Sequence, residues 1–445
     1  MTLQTGNDTG CVELWLGLNS MWGMPDRPEN PTNNTLGPGN TFKPTAPFPR
    51  QQSLGGLKLC VLDPEYVLAN FSAAQYFADG VIETRYTTAT NASFITRSFM
   101  HAAQKALITE VAFENMAGDH VVAPEVSVTS WTNTLWYNAT AAAAAASTRA
   151  GWRAEAGMQY FTRVAIPGNT AERRRKQLHV AVGTQVRDAE AYNHSTIWNQ
   201  TAAAQNGSAP NTVAVGVRSS VSALRFSLVT VAVSNLDLGT DFSVDPLEPA
   251  LTLLQNISVA EAESSNQAYW RSYWATSSIS LPGQPEIERA WYVLNYMLAC
   301  ASRSAPSRFG GSTFPNLWGP WNTDYFPGDP SGGCGWCSAY VTDYNAEALT
   351  YGAFSSNKLE QLESYEQLVT AYMPAARQGA IETARFASEH YFKNHSLLQC
   401  VLESGDALHF PVGIGPFGQP SGGNGPSPGG DWDMRWGGKF TACVG

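Results

Sequence analysis

The sequence predicts a multidomain β-plus-α protein: an N-terminal antiparallel β-sandwich, a linker helix, and then a helical domain. Three observations carry this expectation. The chain has 445 residues, more than one hydrophobic core ordinarily organises. Apolar residues recur at a period of two through its first half. Near residue 245 that period gives way to helical spacing. The expected divisions are 1–245 for the sandwich, 246–280 for the linker and 281–445 for the helical domain.

Within the first segment, Leu107, Val111 and Phe113 share one face of KALITEVAFEN, and Val126 and Val128 alternate within EVSVTS. Leu224, Phe226 and Leu228 alternate with Arg225, Ser227 and Val229. Successive strand residues point to opposite faces, so such runs bury one face against a second sheet. Turn-forming clusters separate them, as in PDRPENPTNNTLGPGN (25–40) and QNGSAPN (205–211). The alanine run Ala141–Ala146 reads as a surface excursion.

From about Val259 the spacing is helical, with Trp270 and Trp274 four apart on one face. This stretch is expected to link and pack against both domains. A second helix should start near Pro285, which suits a first turn, with Ile287, Trp291, Leu294 and Leu298 as its apolar stripe. Further on, Leu359, Leu362, Tyr365, Val369 and Tyr372 share a helical face, and Pro374 is expected to restart the chain. The stretch from Pro411 to Gly430 is Gly/Pro-rich and reads as loop.

Composition narrows the partners. The formal charge is −10, and the basic run Arg173–Lys176 is too short to make a nucleic-acid surface. No apolar run approaches the ~18 residues of a membrane span. The start, MTLQTGNDTG, lacks the pattern of a secretory leader. Ten N-x-S/T sequons nevertheless occur, at Asn7, Asn33, Asn70, Asn91, Asn138, Asn193, Asn199, Asn206, Asn256 and Asn394. They point to a secreted or endomembrane glycoprotein whose leader is not in this sequence. The seven cysteines are an odd number for such a chain, so one is left over or pairs elsewhere. Cys334 and Cys337 form a C-x-x-C without a thioredoxin-like setting, so a structural disulfide, within the loop or to another cysteine, is expected.

No cofactor and no metal are expected. GIGPFG (413–418) matches G-x-G-x-x-G, but Pro416 and the following Gly/Pro run cannot open the helix that a dinucleotide site requires. The seven histidines show no ligand spacing.

The informative stretch is 314–357. Trp318, Trp321, Asn322, Asp324 and Tyr325 precede a Gly/Pro loop, and a helix is expected from about Ser338 carrying Asp343, Asn345 and Glu347. Indoles stack on the apolar faces of sugar rings, and amides and carboxylates bond their hydroxyls. On a helix Asp343 and Glu347, four apart, would share a face. Helix capping by Asp343 beside a solvated Glu347 accounts for the spacing equally well.

PNLWGPWN (315–322) followed by TDYNAEALTYGAFSSN (342–357) resembles the catalytic barrel of glycoside hydrolase family 95, the α-L-fucosidases and α-L-galactosidases. Pro315, Asn316, Leu317, Gly319, Trp321 and Asn322 fit that family's first segment. Asp343 and Asn345 fall on its two helix-start amides, Asp343 as a departure from Asn. The upstream order is similar too: a TGNDTG start, a β-sandwich and a W-x-x-x-W linker helix. The resemblance is loose over 1–275 and best over 280–395. It implies an (α/α)6 barrel and inverting hydrolysis of a terminal α-L-fucosyl or related residue of a glycan. A protonated carboxyl would serve the leaving oxygen and a second carboxylate about 6.5–9.5 Å away would activate water. By position, Asn345 and Asp343 inherit the water-handling role, and Asp343 could instead act as the base or shift sugar selectivity. Trp318, Trp321, Asn322, Asp324 and Glu347 would bind substrate.

The family's acid and base lie far beyond this block, and only about 100 residues follow Asn345. Glu403, Asp406, Asp431 and Asp433 lack the context to replace them. An incomplete barrel, in a fragment or truncated chain, is therefore expected. The alternatives are a non-hydrolytic carbohydrate-binding glycoprotein and a barrel glycosidase of other specificity. The natural glycan and the oligomeric state stay open.

Overall fold

The computed structural model describes residues 2–4, 10–23, 50–63, 66, 68–116, 122–136, 148–165, 178–201, 211–239, 243–303, 314–315, 340–341, 345–390, 393, 395–410, 413–414, 420–422 and 439–441. The chain divides into two compact units. The first holds 1–17, 53–164 and 178–296; the second holds 18–52, 165–177 and 297–445.

Two sheets build the first unit. One has the order β1 (Thr2–Gln4), β2 (Cys11–Gly23), β3 (Arg50–Val61), β8 (Glu125–Trp136), β13 (Asn211–Ser222) and β12 (Ala191–Thr201). The other runs β4 (Leu68–Tyr76), β5 (Val81–Thr88), β6 (Ser93–Met100), β7 (Ala106–Glu114), β14 (Arg225–Ser234), β11 (Leu178–Arg187), β10 (Met158–Ala165) and β9 (Thr148–Arg153). The ladders β4–β5–β6–β7–β14–β11 and β3–β8–β13–β12 are antiparallel. Leu107, Val111, Phe113, Val126, Val128, Phe226 and Leu228 meet in one core cluster, on the faces that alternation assigned them. Leu224 lies outside it, exposed on a turn.

The opposite faces of β7 and β14 are apolar as well. Ala106, Ile108, Val229, Val231 and Val233 join Leu247, Ala250, Leu251 and Leu254 in a second cluster. Those last four belong to α2 (Leu247–Asn256), which follows the one-turn helix α1 (Asn235–Leu238). The second sheet is thus covered on both sides, which is why Val229 is apolar where simple alternation wants a polar residue. A disulfide joins Cys11 to Cys60 across β2 and β3, with Cα atoms 4.1 Å apart. The Tyr86 hydroxyl donates to the Cys11 carbonyl at 2.6 Å and ties the two sheets together there.

Helix α3 (Val259–Thr276) begins at the expected residue, capped by Ser258, whose hydroxyl accepts from the Glu261 amide at 3.3 Å. Its aromatic face docks on the turn between β4 and β5. Trp274 Nε1 donates to the Phe77 carbonyl at 2.8 Å, and Asn266 Nδ2 to that of Asp79 at 2.5 Å. Trp270 is buried over Gly80, stacked against Trp274 and Tyr296 with ring centroids 6.0 and 4.8 Å away. Gly80 has φ +62°, and a Cβ there would lie 1.8 Å from Trp270 Nε1.

Helix α4 (Pro285–Ala301) forms as expected, but its buried face is not the expected stripe. Ile287 and Leu294 are 57% and 64% exposed, whereas Asn295, Tyr296 and Ala299 are buried. The aromatic cluster around Trp270 takes Tyr296, and the Tyr273 hydroxyl donates to the Asn295 carbonyl at 2.9 Å, so ring packing and not aliphatic content sets the helix's rotation.

In the second unit, α5 (Asn345–Ala348) and α6 (Tyr351–Ser355) precede α7 (Glu363–His390), and α8 (Ser396–Ser404) follows. Pro374 does not restart the chain: it lies inside α7, exposed, so the carbonyl one turn back that loses its partner can turn to water. The buried spine of α7 is Ser364, Leu368, Tyr372, Ala376, Ala380, Ala384 and Ala387. Of the expected face Leu359, Leu362, Tyr365, Val369 and Tyr372, only Tyr372 is fully buried, and Leu359 is 52% exposed. Short strands complete this unit: β15 (Tyr340–Val341), β16 (Leu408–Phe410), β17 (Gly413–Ile414), β18 (Pro420–Gly422) and β19 (Lys439–Thr441). They form two small sheets, β15–β17–β18 and β16–β19. The described helices and strands here do not trace out an (α/α)6 barrel; the helical part that was expected is present.

Candidate active site

Of the residues proposed from sequence, Trp318, Trp321, Asn322, Asp324 and Asp343 lie outside the described residues, as do Cys334 and Cys337. Asn345 and Glu347 are within them. The helix that carries these two starts at Asn345 and not near Ser338. In place of its first turns stands β15, paired antiparallel with β17, Tyr340 opposite Ile414 and Val341 opposite Gly413. No helical pattern announces this, because two residues of strand draw their register from a partner in the Gly/Pro-rich tail. Val341, the last described residue before the helix, is strand and not helix. The same pairing gives GIGPFG a structural role: its first two residues are a strand next to the candidate site.

Beyond β15, α5 is fixed by its second residue. Ala346 is buried in a cluster with Phe314, Leu368, Tyr372, Ala376 and Ile414, packed by Tyr365, Leu408 and Phe410. Phe314, immediately before the PNLWGPWN block, meets Tyr365 edge-on with centroids 5.3 Å apart. The block therefore starts from a residue anchored in the same core as the helix start.

Glu347 is half-buried and hydrogen-bonded through its carboxylate to the Tyr365 hydroxyl, which replaces the solvated carboxylate of the capping alternative. Its backbone carbonyl accepts from the Thr350 amide at 2.9 Å and hydroxyl at 2.7 Å, closing the helix. Burial first, and then the neighbouring negative charge and hydrogen bond of Glu347, push the Tyr365 phenol up to about 12. Tyr365 thus stays a neutral phenol at any physiological pH, beside the Glu347 carboxylate. Sequence reading placed Tyr365 only on an apolar stripe, and no motif marks its pairing with Glu347.

Two further polar groups were not anticipated. Lys358 is 1% exposed, and burial holds its ammonium below the usual lysine range, with Glu360 opposing. Near it in sequence, buried Gln361 accepts from the Ser302 hydroxyl at 2.9 Å. His409 on β16 lies 3.3 Å from the Thr383 hydroxyl, and burial lowers its pKa.

No family model matches this chain, and no curated protein matches it in sequence. Among solved structures it is similar to one described as "Putative kojibiose phosphorylase from human microbiome", at 11% identity and a TM-score of 0.51, over 94% of this chain and 53% of that one. The chain thus spans about half the length of that neighbour. The likeness is one of fold alone. No helix among the described residues is long and apolar enough to cross a membrane.

Proposed function

We propose that this chain is part of a secreted carbohydrate-active enzyme, an inverting glycoside hydrolase of α-L-fucosidase type that acts on terminal α-L-fucosyl or related residues of glycans. One observation carries the reading: the aromatic, amide and carboxylate block at 315–347 lies in a chain whose fold is similar to that of a protein named as a kojibiose phosphorylase. In this reading Trp318 and Trp321 stack on the sugar, Asn322 and Asp324 bond its hydroxyls, and Asn345 with Asp343 orients the attacking water. Glu347, braced by Tyr365, supplies a fixed carboxylate to the same wall. Preorganised groups of this kind act without paying a reorganisation cost at the moment of reaction. The proton donor is left to a carboxylate outside this block. The secretory part of the reading is supported by the Cys11–Cys60 disulfide and by the sequons.

The test is to present fucosylated oligosaccharides and an aryl α-L-fucoside to a protein containing this chain, and to follow the first-formed sugar by NMR. Release of β-L-fucose supports inversion. Retention of the α anomer, or absence of any fucoside binding or cleavage, refutes the proposal. The fold neighbour's name favours one second reading, phosphorolysis. It would show as release that depends on inorganic phosphate and yields a sugar 1-phosphate. The 445-residue chain by itself is expected to bind a fucosylated oligosaccharide without turnover, and hydrolysis by it would put the acid and base within these residues.

A further inference from the structure

The described strands of the sandwich end in four sheet edges: β1 and β12 in one sheet, β4 and β9 in the other. An edge strand shows a row of backbone donors and acceptors that another chain can pair with, unless it is short, charged, bulged or covered. β1 is three residues long. β9 carries Arg149 and Arg153, paired with Asp245 and Glu248 at 2.6 and 2.7 Å. The other two edges have neither defence. β4, LANFSAAQY, has nine residues and β12, AYNHSTIWNQT, has eleven, and neither contains Asp, Glu, Lys or Arg. Residues 69–76 of β4 are all exposed, including Phe71 at 42% and Tyr76 at 47%. Such long, uncharged edges are aggregation sites if left bare.

The sequons coincide with these edges. Three of them fall within described strands, at Asn70, Asn193 and Asn199; the first is on β4 and the others are on β12. At Asn70 the β4–β5 register shifts between Leu68 and Asn70, and at Asn193 the β12–β13 register shifts between Tyr192 and Ser195. Asn193 has φ +52°, a left-handed conformation that Asn tolerates better than most residues. Asn70, Ser72, Asn193 and Ser195 are all exposed. The bulges and the acceptor side chains therefore occur together, on the two edges that charge and length leave undefended.

We propose that Asn70 and Asn193 are N-glycosylated and that their glycans cap the two uncharged sheet edges against pairing with a second chain. The co-reactant is a lipid pyrophosphate-linked oligosaccharide. The asparagine Nδ2 attacks the anomeric carbon, a C–N bond forms, and the C–O bond to pyrophosphate breaks. The lipid pyrophosphate leaves with the electron pair, and the amide loses a proton to base. A hydrated glycan at the bulge then occupies the space that an incoming strand needs. This inference rests on the secretory reading above.

The full chain, secreted from a glycosylating eukaryotic host, is mapped by mass spectrometry after enzymatic deglycosylation in heavy-oxygen water. Asn70 and Asn193 are expected to be occupied. A chain bare at every sequon refutes the secretory reading and this inference with it. Occupancy at Asn7, Asn91 or Asn256 with Asn70 and Asn193 bare refutes this inference alone. The capping role is read from polypeptide mass by light scattering. Enzymatic removal of glycans from the folded protein, and independently the Ser72→Ala/Ser195→Ala/Thr201→Ala variant, should at least double that mass at equal protein concentration. An unchanged mass in the enzymatically stripped protein overturns the capping role, whether or not the variant folds.

Discussion

Replacing Gly80 by alanine tests whether α3 is clamped to the sandwich through Trp270. Gly80 sits at φ +62°, and the added Cβ would lie 1.8 Å from Nε1 and 2.4 Å from Cε2 of a buried indole. A left-handed alanine costs about 1–2 kcal/mol. Displacing a packed ring to relieve the overlap costs a further ~1–3 kcal/mol. Gly80→Ala should therefore destabilise the sandwich by about 2–5 kcal/mol, measured by urea unfolding followed by near-ultraviolet circular dichroism. Trp270→Ala should cost ~3–5 kcal/mol. The decisive quantity is the double-mutant cycle. With the indole gone only the backbone cost of alanine remains, so the two losses should fall short of additivity by about 1–3 kcal/mol. If Gly80→Ala costs the same in both backgrounds, or lies within about 0.5 kcal/mol of wild type, the clamp does not exist.

Three other outcomes are expected. Cys11 and Cys60 close a loop with a sequence separation of 49, for which chain entropy gives about 4 kcal/mol; Cys11→Ser/Cys60→Ser should lose an amount of that order in the same unfolding assay, and an unaltered midpoint would count against the bond. The raised pKa of Tyr365 means that the fold favours the neutral phenol, so its stabilisation is fully present below pH 10 and is lost as pH rises towards 12. Partial exposure limits the loss to at most about 2 kcal/mol; Tyr365→Phe should flatten this alkaline decline and remove one late-titrating tyrosine from the ultraviolet difference spectrum, and an identical titration would contradict the raised pKa of Tyr365. In an active protein containing this chain, Asn345→Ala should lower kcat on the order of 10²-fold or more with little change in KM; an unchanged kcat would remove Asn345 from the mechanism.

The sandwich was legible because alternation is a local signal. Leu107, Val111, Phe113, Val126 and Val128 announce a buried face without reference to the rest of the chain. Helix α3 was legible for the same reason, since its paired tryptophans lie within one helix. What failed depended on partners distant in sequence. The rotation of α4 follows from Tyr296 meeting Trp270, so a stripe of Ile287 and Leu294 that looks buried is exposed. Pro374 reads as a breaker until its exposure is known. The candidate site was legible as a composition of aromatics, amides and carboxylates. Its geometry was not, because β15 draws its register from Gly413 and Ile414 and Glu347 draws its orientation from Tyr365.

That pairing of β15 with β17 has a consequence in time as well as in space. During synthesis Asn345 leaves the ribosome well before Gly413 and Ile414 do, so the strand that precedes the site's helix waits for its partner while the whole of α7 and α8 is made. Closing so distant a contact is slow compared with winding the helices between. The long helix should thus form early and act as a scaffold, and the entrance to α5 should be among the last parts to settle. A nascent chain released before residue 413 would carry every side chain proposed for the sugar site and yet lack the ladder that fixes where its helix begins.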